Sequence, residues 1–340
     1  MSVDLGPYLE VVPNAVVERL RGARRVLAVG HENPDADTLG ATLAVAAIVD
    51  ACGGREDPVC TDAIPETYGF LAGIERFRTD PDPEADYDLL VISDCGTLER
   101  VGAVGKRHAA LFERLPRVVI DHHASNDDER QPADWVDPGA AATCEMATLL
   151  AARIGVPLDT GDGSLAAALM AGIVMDTATF AHPNATPRTL VVSAALVEAG
   201  APLSDISRRL YRSKPERQLK LFGRVLDRLV TSEDGLIVWS TLDDADLTAT
   251  GSIPSDSEGI IDLLAQAESA EVSILFKQAP GGTRLSVRTK PGGVDATVLT
   301  GRFGGGGHAR AAGATVELPL DEARPVVLAE AARLAAAVSR

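Results

Sequence analysis

Apolar runs that stop at an acidic residue or a histidine recur along the first half of this chain. Residues 25–30 (RVLAVG) precede His31, while residues 89–94 (LLVISD) and 117–121 (RVVID) both end in Asp. Short apolar runs bounded by polar residues are typical of buried strands in a parallel sheet. Polar side chains that follow such strands meet at one edge of the sheet, where α/β proteins bind their ligands.

Helical patterns alternate with these runs and predict an α/β fold, a parallel sheet with helices on both faces. They cover residues 38–51, 141–154, 163–175 and 187–199. The second half differs, because it contains β-like runs, a PGG turn, a Gly-rich loop at 302–315 and a final Ala-rich helix. This order predicts a smaller α+β domain.

The length of 340 residues suits two domains. We expect a catalytic α/β domain over residues 1–200, a linker and connecting helix over 201–225, and a substrate-binding α+β domain over 226–340. The stretch 207–229 carries eight basic and two acidic residues. It is either a solvated helix face or a docking surface for phosphates.

The net charge of −17 argues against non-specific binding to long duplex nucleic acid and against polybasic membrane binding. Residues 1–200 carry 31 acidic and 15 basic side chains, whereas residues 201–340 carry 18 and 17. No apolar run reaches membrane-span length and no secretory signal is visible. The four cysteines form no CxxC pair, which favours a reducing cytoplasm.

The acidity of the first half suggests a metal centre. Asp35 and Asp37 lie two residues apart, and carboxylates this close repel unless one is protonated or a cation intervenes. Asp94, Asp121 and Asp176 add to this charge. Mixed carboxylate and imidazole ligation favours Mn²⁺, with Mg²⁺, Co²⁺, Fe²⁺ and Zn²⁺ as alternatives. Two such ions would generate a hydroxide nucleophile at neutral pH.

Four segments of the chain resemble the motifs of the DHH phosphoesterase family. They are HENPDADTLGA (31–41), ISDCGTLERVG (92–102), VIDHHASN (119–126) and GIVMDTATF (172–180). The later segment GRFGGGGHARAAGA (301–314) is similar to the glycine-rich signature of the DHHA1 domain that accompanies that family. The resemblance covers nearly the whole chain, and the length matches a subgroup that acts on short substrates.

The resemblance implies a role for each matching residue. His31 and Asp35 would bind one Mn²⁺, Asp37, His122 and Asp176 the other, and Asp94 would bridge the two. His123 would act on the substrate phosphate or its leaving group, and Asp121 would orient an imidazole. The remaining substrate-binding residues are Asn33, Arg288, Gly305, Gly306, Gly307 and His308.

The reaction implied is hydrolysis of a phosphoester by metal-hydroxide attack on phosphorus. The substrates would be RNA oligonucleotides of two to about five nucleotides, 3′-phosphoadenosine-5′-phosphate, and c-di-AMP or its linear product pApA, hydrolysed to nucleoside monophosphates; a homodimer is common in this subgroup. Two alternatives stay open from the sequence: a hydrolase of polyphosphate or pyrophosphate, and a nucleotide-binding regulator without turnover.

Overall fold

The chain divides into two units, Met1–Ser213 and Lys214–Arg340, in the computed structural model. The structure describes residues 3–123, 131–161 and 163–338, apart from the side chains of His308 and Val338. Residues 124–126 of the third motif therefore lie outside the described residues. The expected division at residues 200 and 225 remains a prediction.

Unit 1 contains a five-stranded sheet in which every neighbouring pair is parallel. The strand order is β2-β1-β3-β4-β5, so the order reverses between β1 and β3. A reversal of this kind leaves a crevice at the carboxyl ends of the two strands. The strands are β1 (Arg25–Val29), β2 (Arg55–Val59), β3 (Leu89–Ser93), β4 (Arg117–Asp121) and β5 (Trp135–Val136).

Helices cover both faces of this sheet, which confirms the predicted α/β class. Alternate residues of a strand point to opposite faces: Val26 and Ala28 join the core under α2 and α5, and Leu27 and Val29 join a smaller core under α3. The helices are α1 (Asn14–Gly22), α2 (Ala36–Ala51), α3 (Ala103–Arg107), α4 (Ala109–Arg114), α5 (Thr143–Ile154), α6 (Ser164–Asp176), α7 (Pro187–Glu198) and α8 (Leu203–Tyr211).

Strand β2 is absent from the sequence-based expectation. Its residues, REDPV, lack an apolar run and include Pro58. Proline cannot donate to a strand ladder and is confined mainly to edge strands. Because β2 lies at the edge of the sheet beside β1, the structure accommodates Pro58 there.

Unit 2 contains a six-stranded mixed sheet in the order β10-β11-β9-β8-β7-β6, where β7 and β8 are parallel and the other pairs antiparallel. This confirms the α+β prediction. The strands are β6 (Val230–Thr231), β7 (Ile237–Leu242), β8 (Val272–Ala279), β9 (Gly282–Thr289), β10 (Gly306–His308) and β11 (Ala311–Val316). The helices are α9 (Glu216–Asp227), α10 (Asp244–Thr250), α11 (Ile260–Leu264), α12 (Ala296–Gly301) and α13 (Leu320–Val338).

The Gly-rich segment forms the β10–β11 hairpin rather than the loop that its composition indicates. A Cβ atom at Gly305 would lie 2.2 Å from the carbonyl oxygen of Gly313, and one at Gly307 would lie 2.6 Å from that of Ala311. Glycine is therefore needed where β10 approaches β11. Sequence composition alone does not separate glycines that give flexibility from glycines that allow close packing.

Within the described residues no single helix is long and apolar enough to cross a membrane. Helices α7 and α8 satisfy that criterion only as a pair, by length and composition, with a bend of 112° between them.

Candidate metal centre

The carboxyl ends of β1, β3 and β4 bring the first three predicted motifs together in unit 1. His31 follows β1, Asp94 follows β3, and His122 and His123 follow β4. Asp176 comes from the C-terminal end of α6. Three overlapping groups of ligand atoms result, and within each group the atoms lie within 4.8 Å of one another.

Asp94 belongs to two of these groups and lies at the reversal of strand order. It is 2% exposed and has a positive φ of 58°, a conformation that Asp tolerates better than most residues. Its Oδ2 accepts a hydrogen bond of 2.7 Å from Thr38 Oγ1, and its Oδ1 accepts one of 3.1 Å from Thr143 Oγ1. Each carboxylate oxygen keeps a further lone pair for another partner.

The first group consists of His31, Asp35 and Asp94. Nε2 of His31 lies 3.8 Å from Oδ2 of Asp35 and 3.5 Å from Oδ2 of Asp94. The carbonyl oxygen of Glu32 accepts from Nδ1 of His31 at 2.6 Å. Because Nδ1 carries the proton, Nε2 can offer its lone pair to a cation.

The second group consists of Asp37, His122 and Asp176. Nε2 of His122 lies 3.1 Å from Oδ2 of Asp176. Asp37 is fully buried in the first turn of α2, and its two carboxylate oxygens accept from the backbone N–H groups of Thr143 and Cys144 at 2.7 and 2.8 Å. The N-terminus of α5 thus orients Asp37 and stabilises its negative charge.

The third group consists of Asp94, His122 and His123. Nδ1 of His123 lies 2.8 Å from Oδ1 of buried Asp121 and 3.7 Å from Oδ1 of Asp94. The side chain of His123 is 28% exposed, against 5% for His31. Asp121 therefore orients an imidazole that is accessible to a ligand in solution.

Electrostatics show that the centre favours positive charge. Burial, together with the carboxylates of Asp94 and Asp176, raises the pKa of Asp37 well above its usual range. Burial raises the pKa of Asp176 to about 6, although a contact with His122 opposes it. Burial alone would lower the pKa of His31, but hydrogen bonds and charges from Asp35 and Asp94 raise it to about 10.

Burial and neighbouring charges also act in opposite directions on the pKa values of His122 and Asp94. Burial would lower the pKa of His122, but Asp176, Asp37 and Asp94 raise it to about 10. Burial would raise the pKa of Asp94, but His31, His122 and His123 lower it. The buried carboxylates therefore need positive charge close to them, which a divalent cation can supply.

The residues fit divalent metal ions. Nε2 of His122 is buried and has no hydrogen-bond partner among the described residues, although Oδ2 of Asp176 lies 3.1 Å from it. A buried polar atom without a partner costs free energy that coordination to a cation removes. Imidazole nitrogens and carboxylate oxygens together suit first-row divalent metals.

The chain leaves Asp176 through an unusual turn. Ala178, Thr179 and Phe180 all have positive φ, a conformation that costs about 1–2 kcal/mol per non-glycine residue. The carbonyl oxygen of Asp176 accepts from Nδ1 of exposed His182 at 3.1 Å and from Nδ2 of Asn184 at 3.3 Å. These contacts hold the backbone of Asp176 while the chain reverses.

A buried ion pair supports helix α5, whose N-terminus orients Asp37 of the second group. This ion pair was not predicted from the sequence. Glu145 in α5 is fully buried and accepts from Arg188 Nε at 2.5 Å and from Thr189 Oγ1 at 2.7 Å. Arg188 also contacts Asp137 at 2.9 Å. The pair ties the start of α7 to the helix that orients Asp37. Separations of more than 40 residues leave no local sequence signal for it.

The predicted substrate-binding residues are distributed over both units. Asn33 is exposed in the turn between β1 and α2, where its backbone N–H donates to Asp62 at 2.7 Å. Arg288 on β9 forms an ion pair of 2.9 Å with exposed Asp262. Gly305, Gly306 and Gly307 lie at or beside β10, which has a strand neighbour on one side only among the described strands. The side chain of His308 lies outside the described residues.

Most of the basic stretch at 207–229 contacts carboxylates of its own unit. Arg208 and Arg209 pair with Asp205 in α8, whereas Arg224 and Arg228 of unit 2 pair with Asp246. Arg217 and Lys220 pair with Asp256 and Glu216 respectively. These contacts favour the interpretation of a helix face over that of a phosphate-docking surface.

Comparisons with known proteins agree with these motifs. A model of the DHH family N-terminal domain matches residues 25–173, and a model of the DHHA1 domain matches residues 247–337. The bifunctional oligoribonuclease and PAP phosphatase NrnA of Thermus thermophilus is 31% identical over 299 residues, which cover 88% of this chain and 86% of that protein.

A second relative and one solved structure extend the comparison. The cyclic-di-AMP phosphodiesterase GdpP of Geobacillus thermodenitrificans is 26% identical, over 88% of this chain and 45% of that protein. An exopolyphosphatase-related protein from Bacteroides fragilis superposes with a TM-score of 0.88 at 21% identity, over 97% of this chain and 99% of that one. This last likeness shows the fold alone.

Proposed function

The chain belongs to the DHH phosphoesterase family, and on that basis we propose that it hydrolyses short RNA oligonucleotides and 3′-phosphoadenosine-5′-phosphate to nucleoside monophosphates. It is a hydrolase of phosphoester bonds. The Thermus relative is named as an oligoribonuclease and PAP phosphatase, which supports this substrate class. The name of the Geobacillus relative supports c-di-AMP as a further substrate, and we include pApA because it is a dinucleotide like the short RNA substrates.

The observation that carries this proposal is the overlap of the three ligand groups, which are joined through Asp94 and His122. We assign His31, Asp35 and Asp94 to one Mn²⁺ ion, and Asp37, His122 and Asp176 to a second, with Asp94 shared by both. Bound divalent ions supply the positive charge that a phosphoryl transition state requires and lower the pKa of the attacking water. Thr38 and Thr143 keep Asp94 in the orientation that both sites share.

His123 is the proposed proton carrier of the reaction. Its Nδ1 is 2.8 Å from Oδ1 of Asp121, so the carboxylate fixes the orientation of the ring. Nε2 is then left to donate a hydrogen bond to the phosphate or a proton to the leaving oxygen. Asn33, which is exposed beside His31, supplies an amide donor for the phosphate.

Unit 2 supplies a cation and backbone donors for the rest of the substrate. The ion pair between Arg288 and Asp262 is solvent-accessible, and exposed pairs contribute only about 0–1 kcal/mol. A phosphate can therefore compete for Arg288 at little cost. The edge of β10 at Gly305–Gly307 offers backbone N–H groups of the kind that bind anions.

A substrate panel with the full chain tests this function. RNA dimers to pentamers, 3′-phosphoadenosine-5′-phosphate, pApA, c-di-AMP, pyrophosphate and tripolyphosphate are each incubated with Mn²⁺ and with Mg²⁺. We expect nucleoside monophosphates from the nucleotide substrates in Mn²⁺, and a loss of about 10³-fold or more in Asp94→Ala. The surface variant Asp321→Ala is the matched control.

Two outcomes would contradict the proposal. Cleavage of pyrophosphate or tripolyphosphate with all nucleotide substrates untouched would favour the polyphosphate hydrolase. Nucleotide binding without turnover in either metal would favour a regulator.

A further inference from the structure

One face of the unit 2 sheet carries two cations directly opposite each other. Lys277 on β8 and Arg284 on β9 are antiparallel partners in the strand register. The Cβ atoms of such a pair lie about 5 Å apart on the same face, and like charges in this position destabilise a sheet. An anion bound between the two side chains would remove the repulsion.

The charges of Lys277 and Arg284 are not balanced by a direct contact with a carboxylate of the described residues. Among the described residues, Lys277 and Arg284 form no side-chain hydrogen bond or ion pair, although the charge of Glu258 acts on Lys277 from a distance. Burial and the charge of Arg284 lower the pKa of Lys277, and the more distant charge of Glu258 offsets this only in part.

The other described cations of unit 2 all have a partner. Lys290 and Arg310 donate hydrogen bonds to backbone carbonyl oxygens, and Lys214 lies over the ring of Phe222. The rest form ion pairs with carboxylates: Arg217, Lys220, Arg224, Arg228, Arg288, Arg302, Arg324 and Arg333. The pair on β8 and β9 therefore differs from its surroundings.

The sheet face around this pair is open and lined by small side chains. Helices α9 and α11 pack on this face over Leu275, whereas α12 and α13 pack on the opposite face. On β11 the residues that share the open face are Ala311, Gly313 and Thr315, and none of them is buried. An extended ligand could therefore lie across β9 and β11.

Arg288, the proposed phosphate-binding residue, lies on the same face of the same strand. Arg284 and Arg288 are four residues apart, which is about 13 Å along a strand. Ser286 lies between them on that face and is only partly buried. At this separation, two phosphates of one chain can be bound at the two positions.

We propose that Lys277 and Arg284 bind an additional phosphate of oligoribonucleotides longer than two nucleotides. This rests on the proposed function, because it assigns to Arg288 a phosphate of the same substrate. The pair thereby extends the range of substrates from dinucleotides and 3′-phosphoadenosine-5′-phosphate to short oligonucleotides. Its contribution is to binding, since both residues lie outside the metal centre.

The double variant Lys277→Ala/Arg284→Ala tests the proposal in the full chain. With a tetraribonucleotide we expect KM to rise about tenfold or more and kcat to change less than twofold, because the variant removes two charged contacts to the phosphate. With a diribonucleotide both constants should stay within twofold of wild type. The affinity for the tetranucleotide should also depend less on salt. Each phosphate contact adds about 0.7 to the slope of log K against log salt concentration for single strands.

The control variant Arg324→Ala/Arg333→Ala removes the same amount of charge from α13. It should leave KM and kcat unchanged for both oligonucleotides. Equal losses for both substrates, no loss for either, or the same loss in the control would overturn the proposal. Calorimetric binding of the tetranucleotide in EDTA needs no turnover, and equal binding by wild type and double variant there would also overturn it. Failure of wild type to cleave any nucleotide, with the binding difference retained, would instead contradict only the proposed function.

Discussion

Single residues at the centre are held by groups that do not themselves bind metal. Asp94 accepts hydrogen bonds from hydroxyl groups of α2 and α5, and Asp37 accepts hydrogen bonds from two backbone N–H groups. Such outer contacts determine which lone pairs of a carboxylate face a cation, and their loss typically costs 10–100-fold in metal affinity or activity. Thr143 contributes to both carboxylates, through its hydroxyl and through its backbone.

Removal of the Thr143 hydroxyl should weaken metal binding without unfolding the protein. In Thr143→Val we expect the affinity for Mn²⁺ to fall about tenfold, because Asp94 loses one of its two hydroxyl donors while the backbone N–H to Asp37 remains. Calorimetric titration with Mn²⁺ measures this. Thr148→Val is the control, since the hydroxyl of Thr148 donates only to the carbonyl oxygen of Cys144 in the same helix. Equal affinities in the two variants would contradict the role.

A buried acid far from the centre should make stability depend on pH. Glu56 on β2 contacts Arg76 at 3.1 Å, but burial dominates and raises its pKa from 4.5 to about 8, and Oε1 has no hydrogen-bond partner among the described residues. Because the folded protein holds this proton more tightly than the unfolded chain, stability is lost as pH rises from about 4.5 through 8. The loss is at most about 1.4 kcal/mol per pH unit.

The substitution Glu56→Gln removes that titration while keeping the shape. We expect the variant to gain stability over wild type progressively between pH 5 and 8, measured by urea unfolding. The variant Glu66→Gln, at an exposed acid of unit 1, is the matched control for the loss of one carboxylate. A stability difference for Glu56→Gln that stays constant between pH 5 and 8 would show that burial does not raise the pKa of Glu56.

Helices position the centre through close packing. Helix α6, which ends at Asp176, meets α2 at Gly40 and Gly172. A Cβ atom at Gly172 would lie 2.5 Å from Oδ1 of Asp37, and one at Gly40 would lie 2.5 Å from the carbonyl oxygen of Ala168. Only glycine allows the two helices to bring Asp37 and Asp176 to the same group.

The substitution Gly172→Ala should displace Asp37 and disrupt the second group. We expect a fall in activity of about 100-fold or more with one Mn²⁺ bound per chain instead of two, measured by kinetics and by metal analysis after dialysis. Gly223→Ala is the control, because a Cβ atom there meets nothing within 4 Å. In the middle of α9 it should raise stability by about 1 kcal/mol and leave activity unchanged. Retention of two ions by Gly172→Ala would contradict the packing argument.

At the scale of the whole molecule, the two units have separate cores and separate chemistry. The cores of unit 1 lie around its parallel sheet, and those of unit 2 lie on the two faces of its mixed sheet. All proposed metal ligands belong to unit 1. Metal binding should therefore stabilise unit 1 against unfolding and leave the stability of unit 2 unchanged.

The two tryptophans allow this to be measured. Trp135 lies on β5 of unit 1 and Trp239 on β7 of unit 2, so Trp239→Phe and Trp135→Phe each leave one reporter. We expect Mn²⁺ at 100 times its Kd to stabilise the unit reported by Trp135 by about 2.7 kcal/mol for each ion bound, and EDTA to reverse the effect. The transition reported by Trp239 should not move. Equal shifts of both reporters would contradict the assignment of the ions to unit 1 alone.

The sequence by itself determined the α/β class, the family and the edge of the sheet at which Asp94, His31 and His122 meet. Parallel strands all present their carboxyl ends at one edge, so local runs are sufficient for that inference. Tertiary structure alone decided which carboxylate faces which imidazole, that the α5 N-terminus binds Asp37 across 106 residues, and that Gly172 permits the approach of α6. It also decided that Lys277 and Arg284 lie opposite each other, with no ion-pair partner in the part of the chain that the structure describes. Contacts between distant segments depend on strand register and helix packing, which short-range periodicity does not encode.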